Sequence, residues 1–335
     1  MKIDHIAMEL LKDELGTPKD IRIFHSYHKN NPLRRDIVLN TISKVKNIKP
    51  QVQIEPPEGK FSVVLTHDVD IIKPSWKYYA YHIVKAPLTI IRKMLSKDSP
   101  YMTFEKILKI ENEFGFKSTF FFMANEEDPF TKRYSVETLS DEIGFILDEG
   151  FEVGLHGSFY AFTNFDLIVK EKRRLEKVAK TKIVSYRNHY LRFHIPKTWL
   201  LLEKAGFKYD STLGYNDLVG FRAGIPYPLY PLNPNDGRRI KVLEVPLNVM
   251  DGTLFEYMKL NPKDAYELIL KLIDIVEKYN GVLVLLWHND KFDGLYWKNY
   301  EKVYVQVLKY LKNKRAWVTS LEEFGRWWKS EVGRN

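Results

Sequence analysis

The chain has 335 residues, of which 44% are hydrophobic and 28% are charged, and its net charge is +9. This is enough apolar material for one barrel-sized domain or for a domain with an appendage. No cysteine is present, which excludes disulfides and thiolate metal sites, so a metal would need His, Asp, Glu or a weaker oxygen ligand. The positive charge favours acidic partners, and nucleic acid is the weaker option because no zinc-finger spacing or RNA-binding aromatic signature is found.

The first 58 residues contain two helical patterns and a short strand pattern, and they end near the proline-rich stretch QVQIEPPEGK (51–60). We interpret residues 1–58 as an α/β extension packed on a larger domain that spans residues 59–335. The opening stretch MKIDHIAMELLKDELG lacks the apolar region of a signal peptide, and no run of about 18 apolar residues could span a membrane. The sequence therefore predicts a cytoplasmic protein, which could lie at the inner membrane surface.

From residue 61 onward, strand patterns alternate with helical patterns. Apolar runs predict strands at FSVVLT (61–66), STFFFMA (118–124), EVGLH (152–156), IVSYR (183–187), KYDSTL (208–213), KVLEVPLNVM (241–250), GVLVLLWHND (281–290) and AWVTS (316–320). A long insertion, residues 72–103, follows the first strand. Seven or eight strand–helix units imply a parallel sheet covered by helices, either a (β/α) barrel or a doubly wound sheet.

Polar side chains collect where these predicted strands end. They are Asp68 and Asp70, His156, Arg187 and His189, Asp210, and His288 and Asp290. Desolvating such groups inside a core is costly, whereas the C-terminal ends of barrel strands form the catalytic rim of a βα barrel. The pattern therefore predicts an active site at this rim.

The ordered set of motifs resembles the polysaccharide deacetylase superfamily (NodB homology, carbohydrate esterase family 4). The resemblance spans about residues 60–325 and is carried by THDVD (66–70), GLHGSFYAF (154–162), YRNHYLRF (186–193), YDSTLG (209–214) and LLWHND (285–290). It implies an α/β fold of the distorted (β/α)7 barrel type. It also implies that the protein removes acetyl groups from sugars with a divalent metal, commonly zinc.

The resemblance also implies a role for individual residues. In the branch of the family with the D-x-D spacing of HDVD, Asp68 would be the catalytic base and Asp70 a metal ligand. His156 would be a second metal ligand, Arg187 would orient the base, and His288 would be the general acid.

One departure from the family concerns the metal site. Tyr160 stands four residues after His156, where the family has a second histidine, and His189 stands where the family usually has proline. A catalytic zinc site usually takes three protein ligands, and the third could be His189, Tyr160, Asn164 or an unplaced carboxylate. Neutral imidazole binds zinc better than a phenol that must first lose a proton with a pKa of about 10. We therefore predict a zinc site made of Asp70, His156 and His189.

The predicted activity is removal of an N-acetyl or similar acyl group from a sugar of a polysaccharide or glycoconjugate precursor, through a metal-bound water. Asp68 would take the proton of this water and His288 would protonate the leaving nitrogen. One alternative is a metal-dependent amidase or deformylase acting on a non-acetyl sugar amide. Another is a catalytically inactive carbohydrate-binding barrel, which Tyr160 would favour. A phosphatase with Asp68 as nucleophile would leave His156 and His288 unexplained.

Aromatic residues in two long loops could contact sugar rings or could simply pack. They are Trp76, Tyr78, Tyr79 and Tyr81 in the insertion, and Tyr215, Phe221, Tyr227 and Tyr230 after the fifth strand. Residues 75–95 also alternate aromatic and basic side chains, which is typical of a packed lid or of a peripheral contact with an anionic membrane that presents a glycolipid substrate. The sequence does not predict an oligomeric state.

Overall fold

The computed structural model describes residues 55–85, 99–130, 132–295 and 297–332, together with Asp4, Met8 and Leu88. The predicted extension, residues 1–58, lies almost entirely outside the described residues, so the division of the chain at residue 58 stays a prediction. The Asp4 carboxylate accepts a hydrogen bond from the backbone N–H of Tyr230 at 2.9 Å.

Within the described ranges, nine parallel strands form one curled sheet. They are β1 (Ser62–Val69), β2 (Thr119–Met123), β3 (Glu152–Gly157), β4 (Ser185–Asn188), β5 (Tyr209–Asp210), β6 (Leu243–Glu244), β7 (Val249–Met250), β8 (Val282–Leu286) and β9 (Trp317–Thr319). The order across the sheet is β6-β5-β4-β3-β2-β1-β8-β7, and β9 pairs with the first half of β1. The predicted α/β fold of the distorted barrel type is confirmed.

Eight described α-helices surround the sheet. They are α1 (Trp76–Lys85), α2 (Phe104–Phe114), α3 (Ser140–Asp148), α4 (Phe165–Ala179), α5 (Lys197–Lys204), α6 (Pro262–Lys278), α7 (Lys298–Lys314) and α8 (Leu321–Val332). Helix α6 shows why such a helix forms: Asn261 caps its N-terminus by accepting from Asp264 N–H, and Pro262 occupies the first turn. Across the ranges described, no helix has both the length and the apolar character needed to cross a membrane.

The predicted sixth strand, residues 241–250, is wrong as a single element. The structure has two short strands there, β6 and β7, which pair with different neighbours: β6 with β5, and β7 with β8. Pro246 lies between them and has no N–H to donate to a ladder. In the described part of the chain no ladder joins β6 to β7, so the barrel is open at this point.

Strand β1 is buried on both faces, and alternate residues point to opposite sides of it. His67 faces the helical layer, where its Nε2 lies 2.8 Å from the Glu111 carboxylate of α2 and its Nδ1 lies 2.7 Å from the Trp287 carbonyl oxygen. Asp68, the next residue, faces the other way, towards Arg187 of β4. His67 therefore links β1 to the helical layer, whereas Asp68 lies at the rim where the strands end.

Candidate metal and catalytic site

Three side chains from different strand ends meet at the rim. Asp70 follows β1, His156 lies in β3 and His189 follows β4. Asp70 Oδ1 lies 3.1 Å from His156 Nε2 and 3.3 Å from His189 Nδ1, and the two nitrogen atoms are 3.1 Å apart. The three residues predicted as metal ligands thus form a group in which each offers one ligand atom. We call Asp70, His156 and His189 the ligand group.

The geometry of the ligand group fits a tetrahedral divalent ion. Metal–ligand bonds of about 2.0–2.2 Å at tetrahedral angles separate neighbouring ligand atoms by about 3.3 Å, close to the three distances found here. His156 Nδ1 lies 3.1 Å from the Arg187 carbonyl oxygen. Because a carbonyl only accepts, this assigns the proton to Nδ1 and leaves the Nε2 lone pair facing Asp70. Two nitrogen atoms and one carboxylate oxygen are a donor set that suits zinc.

The electrostatics of the ligand group also agree with metal binding. Burial would raise the pKa of Asp70, but the neighbouring His189 and His156 imidazoles hold it well below its usual range. Burial lowers the pKa of His189, against the opposing effect of Asp70. Both shifts favour the forms that metals bind, an ionised carboxylate and a neutral imidazole.

Sequence reasoning missed two residues that contact the outer side of His189. Arg133 Nη2 lies 2.7 Å from His189 Nε2 and donates to Asp128 Oδ2 at 3.1 Å, and Asp128 Oδ2 is itself 3.5 Å from that ring nitrogen. Arg133 Nη1 also donates to the Asp70 carbonyl oxygen at 3.3 Å. Both residues lie in the loop after β2, where nothing in the charged stretch NEEDPFTKRY (125–134) singles them out.

Arg187 holds the predicted base. Its Nη1 donates to Asp68 Oδ1 at 3.0 Å and to Thr66 Oγ1 at 2.8 Å, while Nε and Nη2 donate to the backbone and side-chain oxygens of Ser211, both at 2.9 Å. Both partners are buried, with 0% of Arg187 and 3% of Asp68 exposed. The second carboxylate oxygen, Asp68 Oδ2, lies 3.6 Å from His156 Nε2 and so faces the ligand group.

His288, the predicted acid, is held by a carboxylate that sequence reasoning missed. Asp251 Oδ1 accepts from His288 Nδ1 at 2.7 Å and Asp251 Oδ2 accepts from the His288 backbone N–H at 2.7 Å, while His288 Nε2 lies 3.7 Å from Asp70 Oδ2. Burial alone would lower the pKa of His288, but Asp251, helped by Asp70 and Asp68, raises it to about 10. Asp251 directly follows β7, so the strand-end rule that selected Asp68 could have found it.

The alternative third ligands lie elsewhere. The Tyr160 side chain is 57% exposed and its ring packs edge-on against Phe159 at 4.8 Å. Asn164 caps helix α4, where its Oδ1 accepts from Leu167 N–H at 3.1 Å. Neither belongs to the ligand group.

Two other predicted strand-end carboxylates have partners outside the ligand group. Asp210 lies beside Glu244, and burial raises the pKa of both acids, that of Asp210 to about 6. Asp290 pairs with Lys291 at 3.1 Å. Neither residue joins the ligand group.

The aromatic residues nearest to the ligand group differ from those expected. Phe221 and Tyr227, from the loop after the fifth strand, are buried in the core. Beside the site, the Tyr190 ring lies 3.8 Å from the His189 ring and 5.7 Å from that of Phe130, which is 59% exposed. This aromatic surface continues from the ligand group to solvent.

Comparison with known proteins places this site in context. No known family profile matches the chain. It is 30% identical over 99 residues to the peptidoglycan deacetylase of Helicobacter pylori, a stretch that is 28% of this chain and 33% of that protein. The chain therefore matches about a third of the length of this relative.

Two solved structures share the fold. One is a Mycobacterium smegmatis protein described as a polysaccharide deacetylase. Its TM-score is 0.58 at 21% sequence identity, and the aligned region covers 85% of this chain and 96% of that protein. The other, PuuE allantoinase, has a TM-score of 0.54 at 14% identity and covers 82% and 94%. Because one fold carries different named activities, the fold alone does not decide the reaction. Together with the order of the motifs, these findings confirm the resemblance of the chain to the polysaccharide deacetylase (NodB-homology) superfamily.

Proposed function

We propose that the protein is a metal-dependent hydrolase that removes N-acetyl or similar acyl groups from a sugar of a polysaccharide or glycoconjugate precursor. The observation that carries this proposal is the ligand group lying against Asp68, whose Oδ2 is 3.6 Å from His156 Nε2. Hydrolysis of an amide requires a polarised carbonyl, a water that loses its proton and a leaving nitrogen that gains one. Each requirement has a matching group at this rim.

Asp70, His156 and His189 would hold the divalent ion, and their donor set suits zinc. When bound, such an ion supplies a Lewis acid that polarises the acyl carbonyl and lowers the pKa of water at the site. The His156 tautomer is already set for this role by the Arg187 carbonyl oxygen.

Asp68 would act as the base that takes the proton of the attacking water. Arg187 occupies Asp68 Oδ1, which leaves Oδ2 as the oxygen that faces the ligand group. The Asp68 and Asp70 carboxylates repel each other, and the buried Arg187 cation offsets this repulsion at Asp68. The hydrogen bond from Arg187 therefore fixes the orientation of the base.

His288 would act as the acid that protonates the leaving nitrogen. Asp251 accepts the Nδ1 proton and fixes the ring, so that the second nitrogen, Nε2, faces Asp70 across 3.7 Å. A proton on Nε2 is thus presented to the ligand group. Asp68 and His288 are two separate groups, one for each of the two proton transfers that amide hydrolysis requires.

The surroundings of the site support a sugar substrate. The exposed Phe130 ring continues from the Tyr190 ring beside His189 and offers a flat apolar face to a pyranose. The Helicobacter pylori relative is a peptidoglycan deacetylase, which supports an N-acetylated sugar polymer as the substrate class. The cytoplasmic location expected from the sequence stays a prediction.

Acyl release from matched substrates tests the proposal. Protein stripped of metal and then reloaded with zinc should release acetate from N-acetylglucosamine oligomers, whereas the stripped protein should not. Asp68→Asn should abolish the release, and the exposed Asp148→Asn should leave it unchanged. Release of formate from N-formyl sugars without any acetate would instead establish the deformylase alternative. Metal binding without release from any sugar amide would overturn the proposal.

A further inference from the structure

Helix α1 carries an exposed apolar stripe. Trp76, Ala80 and Ile83 are spaced four and three residues apart, which places them on one helical face. Trp76 is 72% exposed, Ile83 is 43% exposed, and Leu88, a few residues further on, is 75% exposed. Among the described residues, half of the exposed large hydrophobic side chains lie within residues 76–88. Apolar groups concentrated in this way mark an interaction surface.

The opposite face of α1 is fixed to the protein. Tyr78 is buried, and its ring packs edge-on against that of Tyr101 at 5.5 Å. Ile71, Tyr79 and Leu295 pack around this pair. The helix is therefore held by its tyrosine face, with the Trp76 stripe turned outward.

The insertion that contains α1 is tied to the rim of the candidate site. Asn289, the residue after His288, donates from Nδ2 to the carbonyl oxygens of Ile71 at 2.9 Å and Tyr101 at 2.8 Å. One amide group thus holds the two ends of the insertion together. This contact places the base of the insertion next to the predicted acid.

The charge of the insertion indicates what its exposed stripe contacts. From Ile71 to Lys97 the chain has six lysine and arginine residues and no aspartate or glutamate. Lys73 and Lys77, which flank Trp76, are exposed. An exposed aromatic and aliphatic stripe on a segment whose charged residues are all positive complements an anionic bilayer surface, into which apolar side chains insert while lysines meet headgroups.

We propose that α1 docks on an anionic lipid bilayer and that the adjacent site acts on a sugar carried by a lipid in that bilayer. The second part rests on the proposed function, whereas the docking itself does not. A membrane-bound substrate would explain why the docking stripe belongs to the segment that Asn289 ties to the rim. Docking there would present the site to sugars held at the lipid surface.

Vesicle sedimentation tests the docking directly. The zinc-loaded protein should bind vesicles of phosphatidylglycerol and phosphatidylcholine in 0.1 M salt, bind vesicles of phosphatidylcholine alone poorly, and lose binding in 0.5 M salt. Trp76→Glu combined with Ile83→Glu should reduce the partition coefficient at least about tenfold. Lys77→Glu should reduce it by about fivefold or more. Two matched controls on other helices, Phe145→Glu and Lys309→Glu, should leave it unchanged.

The outcomes separate the two parts of the proposal. Absence of binding to anionic vesicles, or equal binding by the α1 variants and their controls, would overturn the docking. If the protein self-associates without binding vesicles, and the Trp76 and Ile83 changes abolish this self-association, a second copy of the chain covers the stripe. That result would also overturn the docking. Vesicle binding without acyl release from any substrate would leave the docking intact and refute the proposed function. Faster release from a soluble sugar than from its lipid-linked form, on vesicles that bind, would refute the lipid-linked substrate alone.

Discussion

The proposed relocation of a metal ligand to His189 makes a quantitative prediction. A structural zinc site with four ligands binds with about 10–16 kcal/mol, or about 3 kcal/mol per ligand. In this structure, removal of His189 leaves only Asp70 Oδ1 and His156 Nε2, 3.1 Å apart, as donors in the ligand group. His189→Ala should therefore weaken zinc affinity by about 10²-fold. Tyr160→Phe, at the position of the family's second histidine, should change it by less than about twofold.

Competition with a chromophoric chelator measures both affinities. Because His189 is buried, the metal-free variants must first show an unchanged circular dichroism spectrum and thermal midpoint, and His189→Gln provides a second variant that keeps more of the side-chain volume. Wild-type affinity in a folded His189→Ala protein would refute the assignment. A large loss in Tyr160→Phe would identify the phenol as the third ligand instead.

Three further predictions concern the base, the acid and a buried carboxyl group. Asp68→Asn should keep zinc bound but abolish turnover, whereas Asp70→Asn should lose zinc. Metal analysis of both variants measures this, and equal metal loss in the two would contradict the division of roles. His288→Ala should lower kcat for an amide by about 10²–10⁴ but spare an activated aryl ester, whose leaving group needs no proton; equal losses would remove the acid role. Burial raises the pKa of Glu171 from its usual 4.5 to about 7, so the folded state binds more protons and stability falls as pH rises between these values. Asp210, Glu244 and His288, whose pKa values are also raised, lower the stability over the same range in both proteins. Urea unfolding in chelator should therefore show that Glu171→Gln loses about 2–3 kcal/mol less stability than the wild type from pH 5 to 8, and an equal loss in the two proteins would refute this cause.

The amino-acid sequence alone determined the strand–helix alternation and the order of the motifs. Apolar runs predict buried strands because side-chain burial follows local periodicity. Polar residues at the ends of those runs then point to one rim, because parallel strands all end on the same side of the sheet. This reasoning needs no knowledge of which strands are neighbours. It was sufficient to select five candidate site residues: Asp68, Asp70, His156, Arg187 and His288.

Which of these groups touch, and which residues support them, depends on how the strands and loops pack in three dimensions. His189 meets His156 because β3 and β4 are adjacent in the sheet. Asp251 holds His288 across 37 residues, and Arg133 contacts His189 across 56. These contacts are set by the order of the strands in the sheet, by the paths of the loops, and by the break between β6 and β7 at Pro246. None of these has a local periodic signature, because they depend on how distant segments pack against one another.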